Sequence, residues 1–222
     1  MPVEAVFFDV GETLVDETGT WGRWADWMGV PRLTFFAALG AVVARGGGHR
    51  DVFRLVRPDL DFAAVVRRRG DAEQGFTLDD LYPDALPCLL AVRERGYRVG
   101  IAANQPARAA DVLRGSDLPF EWLLISELEG VTKPDPAFFE RILEVTGLPA
   151  AEIAYVGDRV DNDVVPATRA GMVAVHVRRG PWGVIQADRP GIELAALRLD
   201  SLDELPERLS SLAGGRAGRD GR

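Results

Sequence analysis

Val3-Glu-Ala-Val-Phe-Phe8 is a short run of β-branched and aromatic residues that stops at Asp9 and Gly11. An apolar run of this length, bounded by turn-forming residues, predicts a buried β-strand. Later runs of the same character predict further strands at 97–103, 122–125, 153–156 and 172–177.

The segments between these runs carry helical patterns of apolar residues, at 84–95, 106–114, 136–146 and 163–170. Strands that alternate with helices of this length predict βαβ units and a mostly parallel sheet, so the fold class is α/β.

Polar residues follow four of the predicted strands at the point where each ends: Asp9, Asn104, Ser126 and Asp158. Ligands of open parallel sheets bind beyond the carboxyl ends of the strands. We therefore expect these four side chains to converge on one crevice.

Residues 16–80 depart from the alternation and predict several helices inserted after the first strand, between core segments 1–15 and 81–212. Trp21, Trp24 and Trp27 are spaced three apart, which predicts that they share one helix face. That face is interpreted either as internal packing or as a wall of a substrate pocket. Residues 213–222, rich in glycine and arginine, are predicted to be disordered.

The net charge of −8 and the lack of a basic stripe argue against nucleic-acid or anionic-membrane partners. One cysteine, Cys88, excludes an internal disulfide framework. With no leader pattern and no run of about eighteen apolar residues, the expectation is a cytoplasmic protein. His49 and His176 lack partners at metal-binding spacing, which argues against zinc and against a Ser-His-Asp triad.

Four motifs occur in order: Asp9-Val-Gly-Glu-Thr-Leu14, Asn104 at a strand end, Lys133-Pro-Asp-Pro136, and Gly157-Asp-Arg-Val-Asp-Asn-Asp163. Lys133 is the sole lysine among 26 basic residues. Together the motifs resemble those of the haloacid dehalogenase (HAD) superfamily of hydrolases, in the subgroup with a helical (C1) cap. The resemblance implies a Rossmann-like parallel sheet core, with residues 16–80 as an inserted α-helical cap.

The resemblance also implies a phosphatase whose nucleophile is Asp9, which would form an aspartyl-phosphate that water then hydrolyses. It implies a Mg²⁺ cofactor, a cation that prefers oxygen ligands. Its ligands would be Asp9, the carbonyl of Gly11, and Asp158, with Asp163 bound directly or through water.

Lys133 would neutralise the attacking carboxylate and the developing charge. Asn104 and Lys133 would bind the phosphate of a small phosphorylated metabolite, the expected partner. Neither that metabolite nor the oligomeric state can be read from the sequence.

Two positions depart from the family pattern. Gly11 stands where active phosphatases of the family usually carry an aspartate that protonates the leaving group, a contribution of roughly 10²–10⁴-fold. Glu12 and Asp16 are the nearby carboxylates considered as replacements. Ala103 stands where a Ser or Thr hydroxyl usually donates to the phosphate.

These departures keep alternatives open. A degenerate HAD fold that binds a ligand or partner without turnover is one alternative. A 2-haloacid dehalogenase is another alternative, because that reaction needs no leaving-group acid. That branch of the family, however, looks metal-free and lacks the glycine and two aspartates that this chain carries at Gly157, Asp158 and Asp163. The phosphonate-cleaving branch requires a lysine in the cap, and residues 16–80 contain none.

Overall fold

The computed structural model describes residues 2–61 and 75–212. Its centre is a parallel sheet of strand order β3-β2-β1-β4-β5-β6. The strands are β1 (Ala5–Phe8), β2 (Arg98–Ala103), β3 (Trp122–Ile125), β4 (Ile153–Gly157), β5 (Val173–Val177) and β6 (Leu197–Leu199). The α/β prediction and its five strands are confirmed, and β6 is an additional edge strand that the sequence analysis did not predict.

Among the described residues, four α-helices lie between β1 and β2 in the chain, and the others follow β2. The helices are α1 (Thr18–Trp27), α2 (Arg32–Ala44), α3 (His49–Val56), α4 (Ala85–Glu94), α5 (Arg108–Arg114), α6 (Ser126–Glu129), α7 (Pro136–Thr146), α8 (Val165–Arg169), α9 (Gly180–Ile185) and α10 (Leu205–Leu212). The helix predicted at 163–170 is α8, which starts later than expected because a π-helical turn, Val160–Val164, precedes it.

The sheet is buried on both faces. Side chains alternate along β1, so that Val6 and Phe8 face one hydrophobic cluster while Phe7 faces the other. The first cluster includes Leu89 of α4, and the second includes Phe138 of α7. Burial on both sides explains why the strands read as continuous apolar runs rather than alternating ones.

The chain leaves the sheet region after Val15 and returns at Leu81, which form an isolated antiparallel bridge. The amide of Asp16 donates to the carbonyl of Asp80 at 2.8 Å, so the outgoing and returning segments lie side by side. The predicted cap boundaries of 16 and 80 fall at this crossing. The division into core and cap stays a prediction, and residues 62–74 and the tail at 213–222 lie outside the described residues.

Helices α1, α2 and α3 enclose a third hydrophobic cluster, which also takes in Trp182 of α9. The Arg189 guanidinium adds a 2.8 Å hydrogen bond to the carbonyl of Val43 in α2. The inserted helices therefore pack on the sheet region through α9, and this contact positions them over the carboxyl ends of the strands.

Within residues 2–61 and 75–212, no single helix is long and apolar enough to cross a membrane. Helices α1 and α2, which are bent by 114° relative to each other, meet that criterion only as a pair, on length and composition alone.

Candidate active site

Three of the four predicted strand-end residues meet at one cavity of about 760 Å³. Asp9 follows β1, Asn104 follows β2 and Asp158 follows β4, and all three line the cavity. Ser126, after β3, does not line it among the described residues. Its hydroxyl accepts from the amide of Gln105 at 3.2 Å and donates to that residue's carbonyl at 3.3 Å, which fastens the loop after β2.

Asp9, Asp158 and Asp163 form a buried carboxylate cluster, with one oxygen atom of each lying within 4.8 Å of the others. Asp163 comes from the π-helical turn after β4, which brings it back against the strand end. A β-carbon at Gly157 would lie 2.4 Å from Cγ of Asp163. Glycine at position 157 is therefore what allows Asp163 to approach the strand so closely.

Lys133 joins two of these carboxylates. Its ammonium lies 2.8 Å from Oδ1 of Asp9 and 2.6 Å from Oδ1 of Asp163, and its side chain is fully buried. Burial alone would lower the pKa of Lys133, but Asp163 and Asp9 outweigh it and hold that pKa well above its ordinary value. The lysine is therefore a fixed positive charge between the two aspartates.

Asn104 fixes the backbone of Lys133. Its amide nitrogen donates to the Lys133 carbonyl at 2.8 Å, and its oxygen accepts from the Lys133 amide at 2.8 Å. This pair of bonds ties the loop after β2 to the segment that carries the lysine. The predicted contact of Asn104 with phosphate stays a prediction, since both ends of its amide already serve this positioning role.

The cluster carries more negative charge than Lys133 neutralises. Burial raises the pKa of Asp158 well above its ordinary value, and repulsion from Asp163 and Asp9 adds to the effect. Burial also raises the pKa of Asp163, although Lys133 opposes the shift. The buried Oδ2 atom of Asp158 has no hydrogen-bond partner among the described residues. Buried unpaired carboxylate oxygens fit a hard divalent cation, which takes oxygen ligands.

Glu17 is a site residue that the sequence analysis missed. Its carboxylate lies beside Gly11, where it accepts a 3.2 Å hydrogen bond from Nε1 of Trp21. Burial, with repulsion from Glu12 and Asp9, raises the pKa of Glu17 to about 7. The sequence shows that Glu17 lies four residues before Trp21, at the start of a predicted helix. That spacing alone does not indicate that its side chain reaches the cavity.

Glu12 and Asp16, the two predicted replacements for an acid at residue 11, make hydrogen bonds to other groups. Glu12 accepts 2.6 Å and 3.2 Å hydrogen bonds from the Tyr82 hydroxyl and the Glu17 amide. Asp16 accepts from the amide of Thr18 at 2.8 Å, at the start of α1.

Aromatic residues of the inserted helices form the opposite wall of the cavity. Trp21, Trp24 and Phe53 line it and also belong to the hydrophobic cluster of α1–α3, so the packing and pocket-wall interpretations both apply to the two tryptophans. The prediction that Trp27 shares their face is wrong: it is 43% exposed and, within the described residues, does not line the cavity. Six positions along a helix turn the side chain about 120° away from Trp21.

The parallel sheet defines an α/β protein with a buried Asp-Lys-Asp cluster at the ends of its strands. A family model of haloacid dehalogenase-like hydrolases matches residues 3–171, well over half of the chain. The chain belongs to this family, which confirms the resemblance of its motifs to the superfamily, while the assignment to the helical-cap (C1) subgroup stays a prediction.

Relatives of the chain include enzymes named as phosphatases. A glyceraldehyde 3-phosphate phosphatase of Methanopyrus kandleri is 39% identical over 128 residues, covering 56% of this chain and 54% of the relative. One of the same name from Pyrococcus furiosus is 30% identical over 208 residues, covering 84% of this chain and 85% of the relative. The chain spans just over half the length of three of the curated relatives that it matches.

Among solved structures, the HAD-hydrolase YfnB from Bacillus subtilis, bound to magnesium, superposes with a TM-score of 0.70 at 18% identity. The match covers 94% of this chain and 99% of that chain. At this level of identity the likeness establishes the shared fold.

Proposed function

We propose that this chain hydrolyses a phosphoric monoester of a small metabolite through an aspartyl-phosphate on Asp9. The observation that carries the proposal is the buried cluster of Asp9, Lys133, Asp158 and Asp163, of which Asp9 and Asp158 line one cavity. The names of the relatives support the choice of a phosphate ester, since phosphoserine and phosphoglycolate phosphatases also occur among them.

Mg²⁺ is the cofactor that we propose. Asp9, Asp158 and the carbonyl of Gly11 would hold it, with Asp163 binding directly or through water. When bound, the cation would neutralise charge shared by the carboxylates and the phosphoryl group. The unpartnered oxygen of Asp158 supports this assignment, because a buried acceptor without a partner is costly.

The residues of the chain supply the remaining chemistry. A carboxylate oxygen of Asp9 attacks phosphorus, the bond from phosphorus to the leaving oxygen breaks, and water later releases phosphate from Asp9. Lys133 holds Asp9 at 2.8 Å and offsets the negative charge that builds up during attack. Asn104 keeps Lys133 in place and, with it, is our proposed phosphate contact.

The cavity favours a small substrate. Its volume of about 760 Å³ falls in the range of small-molecule sites, and the aromatic wall of the inserted helices would shield the reacting groups from water when a substrate is bound. We interpret residues 16–80 as a C1-type cap on this basis. A cytoplasmic location is part of the proposal, in keeping with the single, buried cysteine Cys88.

The alternative of a non-catalytic binding module rests on Gly11 and Ala103, which lack the carboxyl and hydroxyl groups that the family usually provides. A 2-haloacid dehalogenase is disfavoured by the three clustered aspartates, since a metal-free displacement of halide needs Asp9 as nucleophile but no metal-binding carboxylates beside it.

The test is Mg²⁺-dependent phosphate release from acetyl phosphate and p-nitrophenyl phosphate. We expect turnover by the wild type, its loss with a chelator, and a loss of at least about 10⁴-fold in Asp9→Asn, the change that removes the nucleophile. Asp188→Asn, an exposed aspartate, is the matched control. Mg²⁺ binding without any turnover would favour the binding module, and chloride release from 2-chloropropionate in chelator would favour the dehalogenase.

A further inference from the structure

Gly11 leaves a space at the edge of the cavity, and a carboxylate from another part of the chain fills it. A β-carbon built on Gly11 would lie 2.7 Å from Oε1 and 2.9 Å from Cδ of Glu17. These separations are too short for an unstrained contact. The carboxylate of Glu17 therefore lies where a side chain at residue 11 would begin, on the same cavity as Asp9.

Two side chains hold the carboxylate of Glu17 in this place. Nε1 of Trp21 donates to Oε2 at 3.2 Å, and the side chain of Gln105 adds a hydrogen bond. Both partners line the cavity, one from α1 and one from the loop after β2. Oε1 is the atom that lies nearest to the empty position at Gly11.

The other two nearby carboxylates are less suited to act on substrate. The Tyr82 hydroxyl lies 2.6 Å from Oε2 of Glu12, and the Glu17 amide lies 3.2 Å from its Oε1, so both oxygens of Glu12 are occupied. Asp16 accepts from the start of α1 and does not line the cavity among the described residues. Its position beside Gly11, on the wall of the cavity, favours Glu17.

We propose that Glu17 is the general acid and base of the reaction, in place of the aspartate that Gly11 lacks. This inference rests on the proposed phosphatase function. In the first step Asp9 attacks phosphorus, and the proton of Glu17 passes to the leaving oxygen as its bond to phosphorus breaks. In the second step water attacks the aspartyl-phosphate, its proton passes to Glu17, and phosphate leaves Asp9.

Glu17 directly precedes α1, so it belongs to the start of the inserted helices, whereas Asp9 stands at the end of a strand. The acid and the nucleophile are thus carried by different parts of the fold. Docking of α1–α3 on the sheet region, through Trp182, brings the two groups to the same cavity.

The first test compares Glu17→Gln with the wild type on two aryl phosphates of similar shape. Phenyl phosphate needs a proton on its leaving group, whereas p-nitrophenyl phosphate does not. We expect turnover of phenyl phosphate to fall by about 10²–10⁴-fold. With p-nitrophenyl phosphate, about one equivalent of p-nitrophenolate should be released in a burst before slow turnover, because only the second step still needs the base.

Glu140→Gln, an exposed residue of α7, is the matched control and should behave as the wild type. An equal loss on both substrates with no burst, or no loss on either, would overturn the role of Glu17. Failure of the wild type to hydrolyse either phosphate would instead overturn the proposed function.

The second test moves the carboxylate. In Gly11→Asp/Glu17→Ala the acid returns to residue 11 and the clash with Glu17 is removed, whereas Gly11→Ala/Glu17→Ala adds only a methyl group. We expect the first double variant to hydrolyse phenyl phosphate at least 10-fold faster than the second. A 10-fold gain is about a tenth or less of the 10²–10⁴-fold that a fully positioned acid–base group contributes. Equal rates in two variants of equal melting temperature would overturn the proposal.

Discussion

Two sides of one cavity differ in how their residues are held. The floor is the cluster of Asp9, Lys133, Asp158 and Asp163. Asp9 and Asp158 line the cavity and directly follow the paired strands β1 and β4, and Lys133 and Asp163 lie buried against them. Hydrogen bonds of the sheet and of Asn104 fix these backbones, so the spacing of the charges is set by main-chain geometry.

The roof is formed by Glu17, Trp21, Trp24 and Phe53, which come from α1, α3 and the residue before α1. Its position depends on side-chain packing, with aromatic centroids such as those of Trp24 and Phe53 4.9 Å apart. Substitutions in the floor should therefore alter charge and chemistry, whereas substitutions in the roof should first alter packing.

Apart from removal of the nucleophile Asp9, the largest effect is expected at Lys133 in the floor. In Lys133→Met the carboxylates of Asp9 and Asp163 lose their buried partner, so the free energy of unfolding in chelator should fall by about 3–5 kcal/mol. With Mg²⁺ present, kcat should fall by about 10²–10³-fold. Urea unfolding and steady-state kinetics measure the two effects, and Arg93→Met, at an exposed site, is the control. Wild-type values for both quantities would contradict this account of the floor.

In the roof, Trp24→Ala should lower the free energy of unfolding by about 3–5 kcal/mol, because the side chain is 7% exposed and packed against Phe53. Trp27→Ala is the matched comparison on the same helix. That residue is half exposed and contacts Trp24 edge to face, so its loss should cost at most about 1.5 kcal/mol. Equal losses in thermal or urea unfolding would break the distinction between the two tryptophans.

Mg²⁺ should stabilise the floor directly. At a concentration of about 100 times Kd, a ligand that binds only the native state adds about 2.7 kcal/mol to the free energy of unfolding. Urea titrations with Mg²⁺ and with chelator measure this gain, which Asp158→Asn should largely abolish and the exposed Asp188→Asn should keep. A gain of the same size in Asp158→Asn would mean that the cation binds elsewhere.

The smallest effect is expected at Gly157, which supports the floor without carrying charge. Alanine there would bring a methyl group to 2.4 Å from Cγ of Asp163 and push that carboxylate away from the strand. We expect Kd for Mg²⁺ to rise by about 10–100-fold. Calorimetric titration measures Kd, and Gly48→Ala, where a β-carbon would meet open space, is the control. An unchanged Kd would show that Asp163 does not contribute to binding.

The elements of the sheet that matter most to the site were predictable. Apolar runs at 97–103 and 153–156 correspond to β2 and β4 within a residue or so, because strands buried on both faces need continuous apolar sequence. The edge strand β6 escaped prediction. Its three residues, Leu197–Leu199, bury only alternate side chains, and so short a pattern carries little signal.

Local sequence thus determined the α/β fold and the floor. Residues that directly follow parallel strands reach the same edge, which is why Asp9, Asn104 and Asp158 could be grouped without coordinates. Ser126 shows the limit of that rule, since its hydroxyl bonds to the loop after β2 and, among the described residues, it does not line the cavity.

Which residues form the roof follows only from the tertiary structure. Whether Trp21 or Trp27 faces the cavity depends on how α1 is rotated about its axis when it packs on α2, α3 and Trp182. Because the three tryptophans of α1 are the same size, their pattern in the sequence does not fix that rotation. The same packing carries Glu17 into the space beside Gly11, six residues away along the chain. Strand ends are placed by backbone hydrogen bonds that any sequence must make, whereas the roof is placed by side-chain contacts that exist only in the folded molecule.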